Sequence, residues 1–187
     1  MSPILGARGG LAASAYGFTS AVAGPGDYQS IATVVVGSGG QATITFSSIP
    51  STYKHLQIRA IAKASGSNFN PKMQFNSDTG SNYSWHYIYG DGSTTVAGAG
   101  ATQAFIYNSI ISTNSSMYNA FIIDILDYTN INKYKTTREF SGQDRNGTGE
   151  IALWSGNWRS TSAITSIAFS NGTFDQYSEF ALYGIKG

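Results

Sequence analysis

Cysteine is absent from this chain of 187 residues, which excludes disulfides, zinc–thiolate sites and thiol catalysis. Histidine is nearly absent too: His55 and His86 are the only two. A metal centre needs about three convergent ligands, so both histidines are expected to be structural or surface residues, and no metal or cofactor is expected. Charge is scarce, at 11% with a net charge of +1, less than half the usual quarter. With no basic stripe to neutralise a phosphate backbone, nucleic-acid binding is not expected. No run approaches the ~20 apolar residues of a membrane-spanning helix, so membrane insertion is not expected either. Solubility must then rest on Ser, Thr, Asn, Gln and Gly. A neutral, hydroxyl-rich surface packs against copies of itself with little like-charge repulsion, which points to a homo-oligomer, with a trimer favoured.

What is present divides at Gly24-Pro25-Gly26. Residues 1–26 are small, glycine-rich and apolar, with Arg8 the single charged side chain. No Lys or Arg precedes Ile4-Leu5, and Gly6-Ala7-Arg8-Gly9-Gly10 interrupts the apolar stretch, so a cleaved signal peptide is not expected. Ile4, Leu5, Leu11, Tyr16 and Phe18 are too apolar for a solvated tail. They read as an arm that anchors the remainder, residues 27–187, to another surface.

From Asp27 onward, period-2 alternation dominates. Strands are expected over 28–36, 42–46, 55–63, 72–75, 83–89, 105–111, 117–128, 133–140, 150–154, 163–169 and 180–185. The 28–36 and 42–46 segments are expected to pair as a hairpin across Gly37-Ser38-Gly39-Gly40. The Gly/Ala/Thr run 90–101 reads as a loop. Phe121, Ile123 and Ile125 alternate with Ala120, Ile122 and Leu126, so that strand reads as covered on both faces. In 133–140, Lys133, Lys135, Thr137 and Glu139 read as outward and Tyr134, Thr136 and Phe140 as inward. About ten short antiparallel strands at this spacing make an all-β, jelly-roll-like β-sandwich carrying an extended N-terminal arm.

Chemistry-bearing constellations are few. Asp124 and Asp127 fall on opposite faces of a strand. Glu139 and Glu150 flank a turn and could approach across a hairpin, as glycosidase carboxyls do, but Glu139 shares its expected face with two lysines, so no catalytic residue is assigned. Asp78, Asp91 and Asp144 are equally calcium ligands or turn formers. Aromatic residues are more informative. Tyr83, Trp85, Tyr87 and Tyr89 share one strand face, and Trp154 and Trp158 flank Gly156. The stripe around Trp85 reads as core. Trp158 and Arg159 read as an exposed contact in a loop, for a sugar or a neighbouring subunit.

Several stretches resemble a group of tailed-bacteriophage proteins. They are Ser30-Ile31-Ala32-Thr33, the run from Ala42 through Phe46-Ser47-Ser48-Ile49-Pro50 to Arg59, Phe75-Asn76-Ser77-Asp78-Thr79-Gly80-Ser81-Asn82-Tyr83, Ile123-Asp124-Ile125-Leu126-Asp127-Tyr128, and the ending Phe180-Ala181-Leu182-Tyr183-Gly184-Ile185-Lys186-Gly187. The similarity covers residues 28–187, and Pro3-Ile4-Leu5-Gly6 is also like the start of such proteins. The resemblance implies a virion structural protein encoded among tail, fibre or head-decoration genes, and it supplies no catalytic residues. The expectation is a non-enzymatic protein on the particle surface. Its arm would bind other virion proteins, and its sandwich would meet the host surface as a tail or fibre component, with a host glycan as a possible ligand. A capsid decoration protein and a free carbohydrate-binding module are the alternatives.

Overall fold

The computed structural model describes residues 27–113 and 116–187. The expected anchoring residues Ile4, Leu5, Leu11, Tyr16 and Phe18, with the whole 1–26 arm, lie outside the described residues. No helix occurs among the described residues. The strands are β1 (Tyr28–Val35), β2 (Ile44–Phe46), β3 (His55–Ala62), β4 (Ala64–Ser65), β5 (Lys72–Phe75), β6 (Tyr83–Gly90), β7 (Thr95–Gln103), β8 (Ile106–Tyr107), β9 (Asn119–Leu126), β10 (Lys135–Asp144), β11 (Gly149–Trp158), β12 (Ile167–Ser170), β13 (Thr173–Phe174) and β14 (Glu179–Ile185). Eight form one antiparallel sheet in the order β1-β14-β3-β9-β10-β11-β6-β7. Four form a second in the order β2-β12-β5-β8, and β4 pairs with β13. The chain is an all-β, jelly-roll-like sandwich.

Alternation explains the single core. Leu56 and Ile58 of β3, Phe121, Ile123 and Ile125 of β9, and Phe180 and Leu182 of β14 point inward from the large sheet. They meet Ile44, Phe46, Met73, Phe75, Ile167 and Phe169 of the small one. The tight β10–β11 hairpin turns on Asn146 and Gly147, both at positive φ (57° and 93°), where an Asn-Gly pair is least strained.

The structure corrects the sequence reading in four places. Strands β1 and β2 do not form a hairpin. β1 is an edge strand on β14, while β2 joins β12 in the other sheet, because residues 37–40 carry the chain between layers. Most of the 90–101 run is not a loop: its second half belongs to β7. Strand β9 is not covered on both sides, since Ile122 and Leu126 are exposed. Finally, β10 has the opposite phase to that expected. Lys135, Thr137, Glu139 and Ser141 are buried, and Phe140 is half exposed. The buried Lys135 ammonium donates to the carbonyl oxygens of Asn130 (2.6 Å), Lys133 (3.1 Å) and Thr161 (3.2 Å), which replace its hydration and make an inward lysine tolerable.

The small sheet is narrower than the large one and ends at β8, which packs against β11 and β6. Close approach there depends on Gly156 of β11, where a Cβ would come within 2.7 Å of Ile106. Strands β6, β7 and part of β11 thus extend beyond the cover of the small sheet.

Candidate functional site

Strand β6 sends Tyr83, Trp85, Tyr87 and Tyr89 inward. In register on β11 they face Trp158, Gly156, Trp154 and Ala152; on the other side Gly100, Gly98 and Val96 of β7 face Trp85, Tyr87 and Tyr89. The edge of the small sheet divides this lattice. Under the cover, Tyr83 and Trp158 are core. Trp158 is 2% exposed, packs 5.6 Å from Phe75 and 6.3 Å from Tyr83, and donates its indole N–H to Asp78 Oδ2 at 2.7 Å. That bond and two from Asn82 and Gly80 hold the Asp78 carboxyl below its ordinary range. The Tyr83 hydroxyl sits deep enough for burial to push it up to about 12. Trp158 is therefore not an exposed contact: it lies within β11, not in a loop, and the small sheet covers it. Arg159 is half-buried. Its guanidinium and backbone N–H are committed to the carbonyls of Ser81 and Asn82, so it ties down the 76–82 loop.

Beyond the cover, Trp85, Tyr87, Tyr89 and Trp154 line a groove of about 340 Å³ with Tyr107 of β8, Asn70, Ile110 and Glu150. Tyr87 stacks on Trp154 at 4.4 Å, and Trp85 and Tyr89 flank Tyr87 at 6.0 and 5.9 Å with interplanar angles of 27° and 20°. Tyr107 meets Trp85 edge-on at 5.5 Å. Trp85 and Tyr87 approach the β7 backbone closely because their partners there, Gly100 and Gly98, have no side chains. A Cβ at Gly98 would come within 2.7 Å of the Tyr87 ring, and one at Gly100 within 2.5 Å of Trp85. The Gly/Ala composition that reads as a loop is thus the floor under an aromatic platform. The expectation that the Trp85 stripe is core holds for Tyr83 and in part for Trp85, which is half-buried and packs against the core, and fails for Tyr87 and Tyr89.

Glu139 and Glu150 do converge, on the inner face. The Ser109 backbone N–H donates to Glu139 Oε1 at 3.0 Å and its hydroxyl to Glu150 Oε1 at 2.9 Å. Burial pushes Glu139 up to about 8, and the neighbouring Glu150 adds to the rise while the Ser109 amide opposes it. Burial also raises Glu150, against the Ser109 hydroxyl. Glu139 is 2% exposed and does not line the groove, so it cannot touch a ligand there. Glu150 is half-buried and does line it. The two carboxyls clamp the segment after β8 that forms the groove wall. Asp78, Asp91 and Asp144 each accept hydrogen bonds within their own turns, the turn-forming alternative. His55 accepts the Asp127 N–H at 2.9 Å and closes the end of β9. His86 is exposed.

A second, larger concavity of about 730 Å³ lies on the outer face of the large sheet, lined by Tyr118, Ala120, Ile122, Phe140, Gly142 and Ile151 among others. Tyr118 and Phe140 are its aromatic side chains, and Asp91, Gln143, Asp144 and Thr148 are among its polar ones. Stacking on a sugar ring needs aromatic faces with polar groups at the rim, and five aromatic side chains line the inner groove against two in the outer concavity.

No family model matches this chain, and no curated protein matches it. Among solved structures, a galectin from Caenorhabditis elegans aligns over 80% of this chain and 94% of its own, with 6% identity and a TM-score of 0.36. No residue or activity is carried over from it.

Proposed function

We propose that this chain is a non-enzymatic carbohydrate-binding sandwich displayed on a bacteriophage virion, where its groove takes a glycan of the host surface. The observation that carries the glycan reading is the stacked set of Trp85, Tyr87 and Tyr89, half-buried beyond the edge of the small sheet, backed by the buried Trp154 and rimmed by Asn70 and Glu150. Such rings present apolar faces to the C–H side of a sugar, while the rim groups accept or donate to its hydroxyls. Burial of Glu139 away from the groove argues against paired-carboxylate hydrolysis, which needs both carboxyls at the scissile bond. The virion setting, tail or fibre before capsid decoration, rests on the sequence resemblance of residues 28–187.

The test is a titration of the full chain with purified bacterial surface polysaccharides (capsule, O-antigen and teichoic acid), read by tryptophan fluorescence because Trp85 and Trp154 line the groove. A saturable emission change with no release of reducing ends is expected. The absence of any saturable change would remove the glycan reading, and release of reducing ends would make the protein an enzyme.

A further inference from the structure

Part of the outer face of the large sheet is apolar where a solvated sheet face would be polar, between Arg59 of β3 at one end of the central row and a polar row at one side. Its central cross-strand row runs Ile122–Phe140–Leu153–Ile88 over β9, β10, β11 and β6. The row beside it runs Ile61–Ala120–Gly142–Ile151–Gly90. On the other side lies a polar row, Gln57–Asp124–Arg138–Ser155–His86, with Arg138 paired to Asp124 at 2.8 Å. The six large apolar side chains of the first two rows are 39–57% exposed. At roughly 200 Å² each, they present on the order of 600 Å² of contiguous apolar surface, the upper end for the largest patch of a monomer. The small sheet differs: its outward positions include Thr45, Lys72, Gln74 and Ser170.

We infer that this face is a two-fold interface with a second copy of the chain. The row pattern selects the axis. A two-fold parallel to the strands, between β10 and β11, sets Ile122 opposite the partner's Ile88 and Phe140 opposite the partner's Leu153. It also sets Ile151 opposite Gly142, so a projecting side chain enters the concavity that Ala120, Phe140 and Gly142 line. Asp124 then faces His86 in the polar row. A two-fold across the strands would instead set the polar row against Ile61 and Ile151, burying Arg138 and Asp124 against aliphatic groups at a desolvation cost. Sheets packed face to face bury about 800 Å² per partner in a standard interface, and the apolar rows supply its core with the polar row as rim. The scarcity of charge removes the repulsion that would keep copies apart. This interface leaves the inner groove open and does not depend on what the groove binds.

Sedimentation of the full chain tests it. The wild type is expected at twice the 19.9 kDa chain mass, and Phe140→Glu/Leu153→Glu at the single-chain mass with a cooperative melt, its midpoint lowered only by the loss of partner binding, since both residues are about half exposed in the monomer. A monomeric or trimeric wild type, or a dimer surviving both substitutions, overturns the proposal. The absence of native cysteine allows a second measurement that does not depend on weakening the interface. Ile122→Cys/Ile88→Cys is expected to be joined between chains by a short bifunctional thiol reagent that spans the ~10 Å between packed sheets, whereas within one chain these positions are three strand spacings, about 14 Å, apart and beyond its reach. Failure of the double variant to cross-link overturns the two-fold register.

Discussion

Glu139 makes the stability of this protein pH-dependent in a direction opposite to that of an ordinary ion-paired carboxylate. Its carboxyl rises from 4.5 to about 8 on folding, chiefly through burial. Between those values the unfolded chain has released the proton and the folded chain still holds it. Stability from this group is therefore complete below pH 4.5 and is lost as pH rises to 8. Glu139→Gln keeps an acceptor for the Ser109 amide and removes the titration. Thermal melts from pH 5 to 8 should show the wild type losing stability relative to the variant, with a gap on the order of a few kcal/mol at pH 8; parallel curves would refute this. Trp158 supplies a second expectation. Truncating a buried tryptophan that also donates to Asp78 should cost about 3–5 kcal/mol, so Trp158→Ala should melt well below wild type; a near-native melt would place it outside the core. Residue identities alone told which tryptophans were at stake but not which was covered. Alternation put Trp85 and Trp154 on strands and left Trp158 in a loop, whereas their exposure depends on how far β11 runs and where β8 ends. Likewise, an inward Lys135 is readable only once three loop carbonyls are known to meet its ammonium.

Strand β7 is the element on which the groove depends most. With Gly98 and Gly100 inward, it offers bare backbone to two rings, and a methyl at either position would tilt the ring above it. Gly98→Ala and Gly100→Ala should therefore weaken glycan binding by tenfold or more. Strand stability should change by about 1 kcal/mol or less, because losing a strand glycine partly offsets the new contact. Calorimetric titration of both variants, with melts alongside, checks this, and unimpaired binding would show that the platform is not the contact. The elements most readable from sequence were those with strong alternation and Asn-Gly or Asp-Gly turns: β3, β5, β6, β9 and β14 fall within two residues of expectation. β7 escaped because its glycines answer to neighbouring rings and not to its own pattern. β8 shrank to two residues because the segment after it leaves the sheet to meet Glu139 and Glu150 through Ser109. The parity of β10 escaped because its inward residues are polar and find partners only in the folded structure.

The described residues form a sandwich of unequal layers, and that inequality creates both the inner groove and the bare outer face. A four-stranded sheet cannot cover an eight-stranded one, so part of the inner face stays open as an aromatic groove. The outer face of the wider sheet has no layer over it among the described residues. Sandwich class followed from strand spacing and alternation. Sheet width and order did not, because they arise from pairings such as β1 with β14 that join opposite ends of the chain. The glycan reading stands or falls on the platform. The decisive measurement is glycan-array binding of the full chain beside Tyr87→Ala, a variant that removes the central ring at its half-buried position. Selective binding by the wild type to one class of bacterial surface glycan, at least tenfold weaker in a Tyr87→Ala protein of near-native melting temperature, is the predicted result. No glycan bound by the wild type, or equal binding by both proteins, would contradict it.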